Sequence, residues 1–276
     1  MLIAHSVQKI TGELDQTRYK AGVRRCVGLV TTRGDLHDGH AAVIHAARTV
    51  ADIVVVAVIP TDRHGSDKVI SASEFQDISF LEQHGADMAY LPSGDLLLGG
   101  STEEAALRVA PTRPCPMLPD LEQFLGVQTR LINTIQPDIL IWGEKKYLEF
   151  AWLQRLINTL QLRTQTQCVP TVRHASGMAV SANIQRLSQT EREIAPVLHE
   201  TLRNIGHAIS NGARSYHKLE NTARLVLREA GFELRYCRVL DQDTMAPPTD
   251  ETRCFRVVAQ AKLNGVPLTD TIGLTI

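Results

Sequence analysis

The 276-residue sequence lacks several features at once, and each absence removes a class of protein. It has no surplus of charge: 29 Lys and Arg against 30 Asp and Glu leave a formal net of −1. There is thus no global electrostatic footprint for nucleic acid or an anionic membrane. Its five cysteines, Cys26, Cys115, Cys168, Cys237 and Cys254, are scattered, odd in number and without a CxxC pair. That pattern excludes a disulfide framework and a structural zinc cluster, and it implies reduced thiols. No stretch approaches the roughly 18 apolar residues that a membrane span needs. The opening Met1-Leu2-Ile3-Ala4-His5 runs quickly into Lys9, Glu13 and Asp15, without the apolar core of a signal peptide. A cytoplasmic protein is therefore expected. Internal repeats and low-complexity tracts are also missing.

What is present is a globular composition, 43% hydrophobic and 21% charged, in a chain long enough to bury a substantial core. The apolar run Cys26–Val30, the turn Gly34–His40 and the alanine-rich Ala41–Val50 read as strand, loop and helix. Ile53–Ile59 is rich in β-branched residues and reads as a buried parallel strand. Helical spacing follows over Ser73–His84, ended by Gly85, and Met88–Pro92 reads as a short strand. Ser93–Pro119, with its prolines and Gly99-Gly100, is expected to be a surface excursion or lid. Leu121–Ile135 is predicted helical, Ile139–Trp142 a strand, Tyr147–Leu160 a helix and Thr164–Pro170 a strand. Successive βα units predict an α/β fold, a doubly wound parallel sheet of Rossmann-like type. From Gln189 the pattern changes to long helices, Thr190–Ser210 and Lys218–Ala230, then strands at Leu234–Leu240, Cys254–Leu263 and the end. A catalytic domain of residues 1–187 and a smaller α+β domain of residues 188–276 are expected.

Three segments carry residues suited to chemistry. His37 and His40 stand three apart at the carboxyl end of a predicted strand, where parallel sheets bind ligands and helix-start N–H groups receive anions. They can hold phosphate oxygens as charge develops in phosphoryl or adenylyl transfer, or they can simply cap the following helix. Lys145, after the strand Ile139–Trp142, can act as a point charge on a transferred phosphoryl group, or it can be a solvated loop lysine. The third is Pro170–Asn183, a strand followed by a Gly-containing hairpin.

Taken in order, Leu36-His37-Asp38-Gly39-His40, Gln136-Pro137-Asp138, Gly143-Glu144-Lys145, Val169–Arg173 with Gly177-Met178-Ala179, and Arg238–Asp243 resemble the pantothenate synthetase (pantoate–β-alanine ligase) family. That family belongs to the HIGH-motif nucleotidyltransferases. The resemblance spans nearly the whole chain. It implies a ligase that activates an acid with Mg-ATP to an acyl adenylate, releases pyrophosphate and lets an amine displace AMP. By the same resemblance His37, His40, Lys145 and Ser181 are the catalytic residues. Gly34, Gly39, Gly143, Lys146 and Val169 join them around ATP, and Asp77 is aligned with an acidic residue associated with Mg2+. A homodimer whose second domain closes over the site is implied, with small-molecule acid and amine as the partners.

The departures from the family lie mainly on the acid side. Its PTMG reads Thr31-Thr32-Arg33-Gly34 here, and its VNPxQF is replaced by Ile59–Gly65 with His64 in the place of the glutamine that binds pantoate. GEKDYQQ reads Gly143–Glu149, so an aspartate becomes Lys146 and the second pantoate-binding glutamine becomes Glu149. LSSRN reads Val180–Ile184, which keeps Ser181 and loses an arginine. RPGHFRGV is reduced to Arg113-Pro114 and Phe124-x-Gly126-Val127. An acid pocket of Thr32, Arg33, His64 and Glu149 is expected, fitted to an acid other than pantoate such as an amino acid or dicarboxylate. The alternatives are an authentic pantoate enzyme with diverged loops, a nucleotidyltransferase acting on a phosphorylated substrate, and a binding protein that keeps the fold without the catalysis.

Overall fold

The computed structural model describes residues 1–60, 72–93, 97, 109–110 and 115–276. These form two compact units, the first Met1–Gly143 with Glu149–Val169 and the second Glu144–Leu148 with Pro170–Ile276. In chain order the first holds β1 (Leu2–Ala4), α1 (Val7–Thr17), the small hairpin β2 (Tyr19–Lys20) and β3 (Val23–Arg24), β4 (Val27–Thr32) and α2 (Asp38–Val50). It continues with β5 (Ile53–Val58), α3 (Ala72–Gln83), β6 (Met88–Tyr90), α4 (Leu121–Ile135), β7 (Ile139–Gly143), α5 (Tyr147–Thr159) and β8 (Gln165–Val169). The first two residues of α5 count with the second unit.

Six strands form one sheet in the order β1-β6-β5-β4-β7-β8, every pairing parallel. The predicted doubly wound sheet is thus present. From β4 the chain proceeds to β5 and β6 on one side and returns to β7 and β8 on the other, so the winding reverses between β4 and β7. Crevices for ligands form at the carboxyl ends of strands around such a reversal. Both faces of the sheet are covered. Val27 and Leu29 of β4 pack in one apolar core with Ile10 and Leu14 of α1 and Leu125, Leu131 and Ile132 of α4. Val30 packs in the opposite core with Val43 and Ile44 of α2 and Ile78 and Leu81 of α3. That division follows from the two-residue period of a strand.

In the second unit α6 (Gln189–Ile194), α7 (Val197–Ser210) and α8 (Tyr216–Glu229) precede β9 (Phe232–Asp241), β10 (Cys254–Leu263) and β11 (Val266–Thr275). These strands make an antiparallel sheet in the order β11-β10-β9. Its core joins Leu198, Leu202, Ile205 and Ile209 of α7 to Phe255, Val257, Ala259 and Ala261 of β10. The four α7 residues recur every three or four positions and the four β10 residues every second one.

The structure corrects several expectations. The single helix predicted over Thr190–Ser210 is two, because Pro196 at the start of α7 has no N–H with which to continue α6. β1 and α1 were not anticipated, although Ser6 caps α1 and Ile10 and Leu14 bury its inner face. The boundary expected at residues 187 and 188 falls inside the second unit, which begins at Pro170 and also claims Glu144–Leu148. Polar contacts account for that claim. Arg256 Nη1 donates to Glu144 Oε1 at 2.7 Å, and the Thr171 N–H donates to Glu144 Oε2 at 3.3 Å. Arg256 also lies 3.6 Å over the Tyr147 ring. Gly273 makes room for that guanidinium, since a Cβ there would stand 2.8 Å from Arg256 Cζ. Most of the Ser93–Pro119 excursion lies outside the described residues, as do Arg63, His64, Arg113 and Pro114.

Candidate active site

The loop from Gly34 to His37 leaves β4 and enters α2, and its geometry fixes both histidine rings. His37 is the N-cap of α2: the Gly39 N–H donates to His37 Nδ1 at 3.1 Å. The His37 N–H donates in turn to His40 Nδ1 at 3.2 Å. A ring nitrogen that accepts from an amide carries no proton, so both imidazoles are held neutral with the proton on Nε2. His40 Nε2 stands 3.0 Å from Thr32 Oγ1, and by that tautomer it is the donor there. The rings are tilted against one another with centroids 4.2 Å apart. Capping and chemistry are therefore not alternatives here. The cap is the device that fixes each tautomer.

Asp77 of α3 anchors the same loop. Its Oδ1 accepts from the Leu36 N–H at 2.9 Å and its Oδ2 from the Asp35 N–H at 3.1 Å. Burial raises the pKa of this carboxyl, against the two amide bonds that favour its charged form. Gly34 has φ +85°, and a Cβ there would come within 2.9 Å of Asp77 Oδ2. Glycine is required both by that backbone conformation and by the carboxylate pressed against it. Asp77 has a role the sequence did not suggest: each of its oxygens accepts one amide of the loop. Among the described residues no group of three or more His, Cys, Asp or Glu side chains is placed to hold a metal ion. Thr32, expected in the acid pocket, is the partner of His40.

Lys145 and Ser181 come together in the second unit. Lys145 Nζ donates to the carbonyl of Val180, next to Ser181, at 3.1 Å. Burial lowers the Lys145 pKa to about 8, and the charges of Lys146 and Arg173 add to the effect while Asp270 opposes it. Ser181 borders a small cavity lined also by Met178, Leu198, His199 and Asp270. Behind it Arg173 holds Asp270 with two bonds, Nη1 to Oδ2 at 2.8 Å and Nη2 to Oδ1 at 2.9 Å. His199 Nδ1 lies 3.0 Å from Asp270 Oδ2. Burial alone would raise the Asp270 carboxyl, yet the bonds from His199 and Arg173 hold it below its ordinary value. The sequence presents Arg173 only as part of the segment Pro170–Asn183 and does not single out His199 or Asp270, and Asp270 in a terminal strand offers no motif to find it by.

The remaining expected residues among those described lie at or just beyond the ends of β4, β7 and β8. Gly143 closes β7 and Val169 closes β8, opposite one another in register. Arg33 and Lys146 are exposed and Glu149 is half-buried. His64 lies outside the described residues.

The comparisons with known proteins agree along the whole chain. A family model described as pantoate-beta-alanine ligase matches residues 2–273. The pantothenate synthetase of Hydrogenovibrio crunogenus is 31% identical over 283 residues, covering 99% of each chain. That of Alcanivorax borkumensis is 31% identical over 308 residues, covering 100% of this chain and 99% of its own. A solved pantothenate synthetase from Thermus thermophilus superposes with a TM-score of 0.83 at 25% identity over 99% of both chains. The pantoate-beta-alanine ligase from Francisella tularensis, solved with beta-gamma ATP and beta-alanine, gives 0.72 at 21% identity over 99% of this chain and 97% of that one.

Proposed function

Because this chain belongs to the pantoate-beta-alanine ligase family, we propose that it is an ATP-dependent carboxylate–amine ligase working through an acyl adenylate. A carboxylate oxygen of the acid attacks the α-phosphorus of ATP, the bond to the bridging oxygen breaks, and pyrophosphate leaves with the electron pair. The amine nitrogen then attacks the acyl carbon, AMP departs with its phosphate oxygen, and the nitrogen loses a proton. His37 donates from Nε2 to phosphate oxygens, His40 does so by exchanging its bond to the Thr32 hydroxyl, Lys145 offsets charge on the leaving pyrophosphate, and Ser181 adds a hydroxyl donor. Removing one such donor typically costs about 10²–10³ in rate. Magnesium enters as the companion of ATP, and no step is assigned to it.

The observation that carries this reading is the pair of neutral imidazoles with both Nδ1 atoms occupied by backbone amides. That arrangement fixes the proton of each ring on Nε2 before charge develops.

We further infer an acid other than pantoate. Arg33, His64 and Glu149 replace groups that in the family face pantoate, and a pocket built to hydrogen-bond one acid leaves polar groups unpaired with another. The reading with pantoate itself is favoured by the relatives, which at 31% identity over 99% of the chain are pantothenate synthetases. Restored growth of a pantothenate-requiring strain would support that second reading, and pyrophosphate release over a panel of acids and amines separates the two. A homodimer and a cytoplasmic location belong to the same proposal, and light scattering on the purified chain tests the dimer. Among the described residues no helix is long and apolar enough to cross a membrane.

A further inference from the structure

Among the described residues of the first unit, three polar side-chain atoms are buried without a hydrogen-bond partner: Thr31 Oγ1 and both Nε2 and Oε1 of Gln128. Gln128 is fully buried. A buried carboxamide with neither atom satisfied is costly, and proteins seldom keep one without a use for it.

The two residues belong to one place. Val30 pairs with Ile141 across the sheet, so Thr31 and Trp142 stand level at the carboxyl edge. Thr31 shares its face of β4 with Val27 and Leu29, which pack against α4. Trp142 meets Phe124 of α4 edge to face with ring centroids 5.7 Å apart, which puts the start of α4 at this edge. Gln128 is one helical turn further on, about 6 Å along the axis. It lies on the stripe of Leu121, Leu125, Ile132 and Ile135, all buried. Helical side chains lean toward the N-terminus of their helix, which is the end of α4 that carries Phe124 beside Trp142.

We propose that Gln128 and Thr31 are specificity-determining residues that hold a primary carboxamide on the acid substrate, with Trp142 and Phe124 as its apolar wall. This rests on the reading that the acid is not pantoate. A carboxamide offers one acceptor and one donor side by side, and another primary amide matches both in a planar pair. A methyl ketone of the same shape offers only the acceptor, and the Thr31 hydroxyl takes a further bond in either direction.

The test is calorimetric titration of the full chain with succinamate and with levulinate, its methyl-ketone isostere, in the presence of a non-hydrolysable ATP analogue. The proposal expects succinamate to bind about 10–100-fold more tightly, the preference to fall to about threefold or less in Gln128→Met, and an intermediate loss in Thr31→Val. Equal binding of the two acids overturns it. So does binding of neither, or a Gln128→Met chain that melts higher and keeps the preference. Pyrophosphate release is measured in parallel. Selective binding without release counts against the ligase reading and leaves the pocket standing.

Discussion

At the scale of single residues, chemistry here depends on groups whose charge or tautomer is set by their neighbours. Lys145 is the clearest case, since burial brings its pKa down to about 8. Below that pH the side chain is an ammonium, and above it a neutral amine, which in the proposed mechanism would no longer offset charge on pyrophosphate. Adenylation should therefore fall as pH rises through about 8. Lys145→Arg should move the alkaline limb upward because a guanidinium stays charged, and Lys145→Ala should lose about 10²–10³ in rate at neutral pH. A pH–rate profile of the three chains checks this, and an unmoved limb in the arginine variant would exclude Lys145 as its source. Asp77 makes a second prediction. In Asp77→Asn one oxygen becomes an NH2 that faces a backbone N–H, at about 1–3 kcal/mol for the unmet donor. We expect a lower unfolding midpoint together with a fall in kcat, since the loop it anchors carries His37. The anchoring by Asp77 was not apparent beforehand. The HxxH spacing was visible in the sequence, but nothing in it shows a carboxylate reaching back across 42 and 41 positions to two amides.

At the scale of elements, the sequence was most informative where a pattern was long and continuous. Leu121–Ile135 was read with the bounds of α4, and Cys254–Leu263 with those of β10. β1 was missed because three residues are too few to show a period, and it is held by parallel pairing with β6, 86 positions away. The turn that carries Lys145 depends on contacts the sequence could not show. Glu144, its neighbour, is held by Arg256 of β10, which also donates to Gln242 Oε1 at 2.9 Å. Arg256→Met should leave a partly buried carboxylate uncompensated and cost the chain about 3–5 kcal/mol. Equilibrium denaturation measures that loss, and stability unchanged within 0.5 kcal/mol would show, on the usual scale of surface substitutions, that the pair is not structural. Gly273→Ala should act in the same direction, because the new methyl displaces the same guanidinium.

At the scale of the whole molecule, the parallel sheet, the antiparallel second sheet and the family were all within reach of the sequence, because five ordered segments outweigh any single motif. The acid was not, since specificity rests on side chains whose partners are set by folding: the contact of Thr32 with His40 is one the sequence does not show. The central claim is that ATP-phosphate chemistry has been kept while the acid has changed. Pyrophosphate release and AMP formation by the purified chain, with pantoate and β-alanine set against a panel of amino, dicarboxylic and amide-bearing acids, tests it most directly. The account predicts that some acid other than pantoate supports turnover at least about 10²-fold more efficiently, as expected when a polar pocket rejects the wrong ligand. Pantoate as the best acid by a similar margin would contradict it.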